Sequence, residues 1–246
     1  MTNQERERLA RDIEQLVGEM ANRDKGRGTR GIGRALRIAA WQATIKGSYV
    51  FKRILDIVLS LAALIVLTPL FIILAAAIKL TSPGPVFFVQ IRVGRFGQTF
   101  SFYKFRSMYV DAEKRKAELL AANQSADGVI FKMKDDPRIT PVGKLLRKTS
   151  MDELPQFLNV LFGDMSLVGP RPPVPSEVAQ YSLEDRKRLN VRPGLTCLWQ
   201  VSGRSDIPFH RQVALDKEYI GSRSLKHDLL ILLRTIPAIL SGRGAY

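Results

Sequence analysis

Apolar and polar positions alternate on different scales along this chain, and the longest uninterrupted apolar stretch runs from Ile54 to Ile78. Of its 25 residues only Asp56, Ser60, Thr68 and Pro69 are not apolar. As a straight helix it reaches about 37 Å, enough for a hydrocarbon core of roughly 30 Å. Pro69 removes a backbone donor inside the run, and Thr68 before it can return a side-chain hydrogen bond to the carbonyls. Lys52 and Arg53 precede the stretch and Lys79 and Arg92 follow it, so the distribution of cations gives no orientation across a bilayer. Asp56, two positions inside, is placed to pair with Lys52 or Arg53. Two readings stay open: a helix broken at Thr68–Pro69 that enters and leaves by one face, and a kinked helix that crosses.

Before this stretch, Leu9, Ile13, Leu16, Val17 and Met20 fall at helical spacing and predict a short amphipathic helix within residues 1–22. Arg23 to Arg37 carries six basic residues, one acidic residue and four glycines, the composition of a flexible linker lying on anionic lipid. Trp41 and Tyr49 then stand where interfacial aromatic anchors belong. After the Thr81-Ser-Pro-Gly-Pro85 turn, Val86–Ile91 and Thr99–Phe105 read as two strands of a hairpin around Gly94 and Gly97. Tyr109–Asn123 reads as a charged helix. Thr140-Pro141 has the cap and first-position proline of another, and a third starts near Asp152, with Leu154, Phe157, Leu158 and Leu161 as its apolar face and Gly163 as its end. Lys226–Leu240 is an apolar helix interrupted at Pro237. The fold class expected is α+β: a small, mostly helical, membrane-anchored domain with a short β-hairpin and a re-entrant hydrophobic helix. Its divisions are a basic extension at 1–48, the membrane helix at 49–80 and a catalytic domain with interfacial helices at 81–246.

Composition narrows the partners. The 246 residues are 46% hydrophobic with 12 Phe, which excludes disorder of the whole chain, and a single long apolar stretch excludes a polytopic membrane protein. Lys and Arg exceed Asp and Glu by 38 to 23, a net charge of +15 that calls for an anionic partner: nucleic acid, acidic headgroups or phosphorylated small molecules. Cys197 is the one cysteine, so no internal disulfide forms.

Three blocks carry candidate chemistry. Arg147-Lys-Thr-Ser-Met-Asp-Glu-Leu-Pro155 puts the adjacent carboxylates Asp152 and Glu153 at a helix start, where orphan amides and the dipole also favour phosphate. The same residues fit a plain capping box of Ser150 with Glu153. Gly169-Pro-Arg-Pro-Pro173 is a rigid turn presenting Arg171. Arg192-Pro-Gly-Leu-Thr196 with Trp199-Gln-Val-Ser-Gly-Arg204 brackets a short strand with Arg192 and Arg204, whose planar forks suit paired phosphate oxygens. Lys104 and Arg106 on the second strand add a further basic site. His210, His227 and Cys197 lack metal-ligand spacing, which leaves only a hard cation held by carboxylate and substrate phosphate. Basic residues spread over separate turns, without a stacking platform or reading helix, argue against nucleic acid.

In order, Lys52-Arg-Ile-Leu-Asp56, Thr68-Pro69, Tyr103-Lys-Phe-Arg106, Ser150-Met-Asp-Glu-Leu154, Gly163-Asp-Met-Ser-Leu-Val-Gly-Pro-Arg-Pro172 and Arg192-Pro-Gly-Leu-Thr196 closely resemble the bacterial sugar transferases, the monotopic polyprenyl-phosphate phosphoglycosyl transferases. The resemblance implies transfer of a sugar-1-phosphate from a UDP-sugar, UDP-glucose or UDP-galactose, to undecaprenyl phosphate, the first membrane step of exopolysaccharide synthesis. It implies Asp152 as nucleophile forming a covalent phosphosugar-aspartate, and Glu153 as ligand of Mg²⁺. It further implies Arg147 and Arg171 as phosphate clamps, and Lys104, Arg106, Arg192 and Arg204 as secondary phosphate or nucleotide contacts. The expected setting is the cytoplasmic face of the bacterial inner membrane, with anionic lipids, a second copy of the chain and downstream glycosyltransferases as partners. Cys197 departs from the glycine commoner there in the family, which puts the shape of the nucleotide or sugar pocket in question. The competing reading is a membrane-anchored basic adaptor without catalysis.

Overall fold

The computed structural model describes residues 15, 18–19, 28–119, 133 and 135–241, leaving aside the side chains of 28–46, 116, 117 and 205. Of the amphipathic helix expected within 1–22, only Gln15, Gly18 and Glu19 lie among the described residues, and these are helical. The chain divides into two compact units, Met1–Lys52 and Arg53–Tyr246.

Helix α1, Gly28–Thr81, is far longer than the apolar stretch alone. The linker expected from Arg23 is therefore helical from Gly28 onward: Ala, Leu, Ile and Arg dominate residues 34–46, and extending an existing helix costs far less than nucleating one, which outweighs glycines worth about 1 kcal/mol each. Its Gly47–Thr81 segment is long and apolar enough to cross a membrane. The helix runs without interruption through Pro69. Thr68 Oγ1 donates to the Leu64 carbonyl at 2.8 Å, one residue before the carbonyl that Pro69 leaves without its amide. The side chain of Trp41 lies outside the described residues, and Tyr49 is exposed.

The polar residues of α1 tie it to the rest of its unit. Asp56 is buried and accepts the amide of Leu167 at 3.1 Å, and it also acts electrostatically on Arg53, one of the two basic residues expected beside it. Arg53 donates to the carbonyls of Val160 and Leu161 at 2.6 and 2.9 Å. Further along, Leu74 and Ile78 pack with Phe105 and Leu146. Much of the remaining apolar surface is exposed, including Val66 at 75% and Ile72 at 65%.

Strands β1 (Phe87–Val93) and β2 (Thr99–Phe105) form the expected antiparallel hairpin, with Phe87 opposite Phe105 and Val93 opposite Thr99. The charged helix is α2, Ala112–Leu119, starting three residues later than expected, and residues 120–123 lie outside the described residues. Helix α3, Pro141–Lys148, starts as its sequence predicts: Thr140 Oγ1 accepts from Gly143 N at 2.9 Å. A Cβ on Gly143 would lie 1.9 Å from the Ser107 carbonyl, so only glycine lets α3 press this closely on the exit of β2.

The next expectation needs correction. Met151–Glu153 is a 3-10 turn, and the α-helix proper, α4, is Gln156–Phe162 after Pro155, ending at left-handed Gly163. Its buried residues are Gln156, Asn159 and Val160, while Leu154, Phe157, Leu158 and Leu161 are only half-buried. Asn159 earns a buried place by accepting from Tyr103 N at 3.1 Å and donating to Ser101 O at 2.6 Å, satisfying the free edge of β2.

Strands β3 (Ser166–Val168) and β4 (Gly194–Thr196) pair in parallel, and short helices α5 (Pro175–Ala179) and α6 (Leu183–Arg186) lie between them in sequence. Helices α7 (Phe209–Gly221) and α8 (Leu225–Ser241) close the unit, α8 continuing through Pro237. The main core joins Phe102, Val160, Met165, Val168, Trp199, Tyr219 and Ile231. Cys197 belongs to it, free and buried.

Candidate active site

Two parallel strands release their following loops at the same end. The segment after β3 presents Arg171 and the segment after β4 presents Trp199, Gln200 and Arg204, and with β2, the last turn of α3 and the Met151–Glu153 turn they line one cavity of about 440 Å³. Lys104, Arg106, Arg147, Asp152, Glu153, Arg171 and Arg204 all line it. Arg192 does not. It precedes β4, and a strand of three residues carries the chain roughly 10 Å, so Arg192 is left at the other end, in a separate recess of about 240 Å³ with Phe96 and Asp164.

At the centre, Lys104 Nζ contacts Glu153 Oε1 at 2.7 Å and Asp152 Oδ2 at 3.4 Å. Asp152 is buried and Glu153 keeps 27% of its side chain exposed. Burial pushes the Asp152 carboxyl above its ordinary value, with Glu153 adding to the rise and Lys104 and Arg147 opposing it. Burial acts on Glu153 in the same direction, but there Lys104, Arg171 and Arg204 prevail and hold it below the usual glutamate range. One carboxylate is thus desolvated and basic, and its neighbour is held ionised.

The capping box is not what orders this turn. Ser150 has left-handed backbone, φ 57°, and makes no side-chain cap. Its Oγ accepts from Arg204 Nη2 at 2.8 Å, and Arg204 is itself left-handed at φ 55°. Two residues in this uncommon conformation, 54 apart in sequence, therefore meet beside the carboxylates. Arg106 lines the cavity but directs Nη2 to the carbonyl and hydroxyl of Ser82, at 2.7 and 2.8 Å, which anchors the end of α1.

The wall is rich in donors that lack acceptors. Among the described residues, buried nitrogens without a partner include Arg92 Nε, Arg106 Nε and Nη1, Trp199 Nε1 and Arg204 Nη1, all of cavity-lining residues, against one such acceptor there, Gln200 Oε1. The cations among the lining residues, Lys104, Arg147 and Arg171, suit a ligand made largely of acceptor oxygens, as phosphates are. Arg92 and the Asp136–Arg138 pair were not singled out by their sequence context. Arg138 Nη2 contacts Asp136 Oδ2 at 2.6 Å. An arginine inside the apolar run of β1 was the available signal for the first.

No group of three or more His, Cys, Asp or Glu that could hold a metal occurs among the described residues. Asp152 and Glu153 nevertheless offer hard oxygen donors at the cavity, and Mg²⁺ is commonly held by one or two carboxylates with substrate phosphates supplying the rest. The donor set fits such an ion. Cys197 does not line the cavity, so its departure from glycine reaches the pocket only through the core beneath Trp199.

Residues 47–242 match the family described as bacterial sugar transferase. The chain is 50% identical over 195 residues to the galactosyl transferase CpsE of Streptococcus agalactiae, covering 79% of this chain and 43% of that protein. It is 43% identical over 198 residues to the exopolysaccharide production protein ExoY of Sinorhizobium fredii, covering 79% and 88%. With the UDP-glucose:undecaprenyl-phosphate glucose-1-phosphate transferase of Caulobacter vibrioides it shares 41% identity over 203 residues, covering 79% and 72%. The chain therefore spans less than half of the streptococcal protein and most of the other two.

Proposed function

The chain belongs to the bacterial sugar transferase family, and from that premise we propose that it moves a hexose-1-phosphate from UDP-glucose or UDP-galactose to undecaprenyl phosphate at the cytoplasmic face of the membrane, initiating an exopolysaccharide. The observation that carries the reading is the buried Asp152 beside Glu153, both in contact with Lys104, in a cavity lined by Arg147, Arg171 and Arg204. An adaptor without catalysis has no use for a desolvated carboxylate facing a cavity.

In the proposed first step an Asp152 oxygen attacks the sugar-bearing phosphorus, and the bond to the nucleoside monophosphate oxygen breaks. Burial favours this attack, since a carboxylate stripped of water is more basic when ionised. Arg147 and Arg171 draw charge from the diphosphate, and the unpartnered nitrogen of Arg204 offers a further donor. Lys104 holds the two carboxylates in place and keeps Glu153 ionised. In the second step an oxygen of the lipid phosphate attacks the same phosphorus and frees Asp152. Glu153 with Asp152 would hold Mg²⁺, which when bound neutralises diphosphate charge. The Gly47–Thr81 helix supports a membrane setting, and entry and exit by one face is part of the proposal, the helix itself being continuous through Pro69.

The test is mass spectrometry of the purified chain incubated with Mg²⁺ and UDP-glucose or UDP-galactose in the absence of lipid. The expected result is a hexose-phosphate adduct on the peptide bearing Asp152, absent in Asp152→Asn, whose turnover falls by on the order of 10³ or more. Normal turnover by Asp152→Asn rules the scheme out.

A further inference from the structure

Arg92 is a buried cation in the cavity wall that Glu177 and Glu153 attract without either forming an ion pair with it. It is 7% exposed, its Nη1 donates to the Pro172 carbonyl at 3.0 Å, its guanidinium carbon lies 5.2 Å from the centre of the Phe102 ring, and its Nε is buried without a partner. It forms no ion pair among the described residues. The carboxylates near it are committed elsewhere: Glu153 to Lys104 at 2.7 Å, and Glu177 to the amide of Val174 at 3.3 Å. Burial, together with the like charge of Arg171, holds Arg92 down to about 10. The two arginines are kept side by side by backbone, since Val93 N donates to the Pro173 carbonyl at 2.9 Å and Arg92 itself to Pro172. Two like charges fixed together at the cavity, neither in an ion pair among the described residues, form a seat for an external anion.

The chemistry says which anion. Both displacements in the scheme occur at one phosphorus, and each is in line with the Asp152 oxygen. In the first, the phosphorus–oxygen bond to the nucleoside monophosphate breaks and its electron pair leaves with that phosphate. In the second, a phosphate oxygen of the lipid bonds from the vacated side, and the electron pair of the Asp152–phosphorus bond returns to the carboxylate. The leaving phosphate and the entering phosphate therefore occupy the same place, across the phosphorus from Asp152. Arg147 acts electrostatically on Asp152, whereas Arg171 acts on Glu153 and on Arg92. We propose that Arg92 and Arg171 form one phosphate subsite used twice, by the nucleotide's departing phosphate and then by the phosphate of the polyprenyl acceptor. The sharing rests on the aspartyl reading above; the subsite itself does not.

The experiment compares the full wild-type chain with Arg92→Gln and Arg92→Lys in detergent, with folding checked by thermal melting. Calorimetry reads UMP binding without turnover, and steady-state assays read the KM for undecaprenyl phosphate. Loss of one charge-assisted contact weakens UMP binding about tenfold in Arg92→Gln and raises the lipid KM by a similar factor, with Arg92→Lys recovering part of both. Unchanged UMP binding in Arg92→Gln, or no UMP binding by the wild type, overturns the subsite. A change in one ligand but not the other overturns its sharing. UMP binding that depends on Arg92 in a wild type that forms no adduct and no product overturns the aspartyl scheme and leaves the subsite standing. If Arg92→Gln does not fold, the same ratios in Arg92→Lys decide.

Discussion

At the scale of single residues, the proposed mechanism treats two neighbouring carboxylates differently. In that scheme Asp152 must be ionised to attack, and burial makes it keep its proton to a pH above the ordinary aspartate value of 3.8. The rate of nucleotide release in a single turnover is therefore expected to climb with pH through a limb above the usual carboxylate range. Glu153, drawn down by Lys104, stays ionised throughout and contributes no limb there. Lys104→Gln removes the nearest cation and moves the limb further up, because the opposing influence on Asp152 is gone. A limb at or below the ordinary value, or one that Lys104→Gln leaves in place, contradicts this assignment. Local spacing places Asp152 and Glu153 together in the turn before Pro155 but fits a capping box equally, and only the family resemblance singles them out. The 3-10 turn was not legible, since it depends on Arg204 reaching Ser150 from 54 residues away.

Among elements, those with local signals were readable and those held by distant partners were not. The hairpin follows from its aromatic strands and the Gly94–Gly97 turn, and α3 follows from Thr140-Pro141. That cap gives a measurable expectation: Thr140→Ala costs about 1 kcal/mol and lowers the melting temperature by roughly 2–4 °C. An unchanged melting curve would show that α3 is held by Leu146 and the Gly143 contact alone. Helix α4 misled the apolar pattern because its buried face is chosen by hydrogen bonding, with Asn159 serving β2. Arg192 misled for a related reason. Spacing along the chain cannot tell which end of a three-residue strand faces the cavity, whereas the parallel pairing of β3 with β4 does.

For the whole molecule, the basic composition calls for an anionic partner, and the cations gathered at the cavity are where the proposal places it. Membrane topology rests on α1, whose continuity through Pro69 leaves both a crossing and a re-entry mechanically open. Cys197 is the one cysteine and is 1% exposed, and a Cβ added at Gly47 or Gly221 meets nothing within 4 Å, so single cysteines there can report topology cleanly. Under re-entry, Gly47→Cys and Gly221→Cys both react with an impermeant thiol reagent from the cytoplasmic side; reaction from opposite sides means that α1 crosses. The most direct test of the central claim is to incubate the full chain with Mg²⁺, undecaprenyl phosphate and a panel of UDP-sugars, and to identify the nucleotide released. The account predicts UMP, formed in sustained turnover only when the lipid phosphate is present. Release of UDP would mean that the sugar moves without its phosphate, and would contradict it.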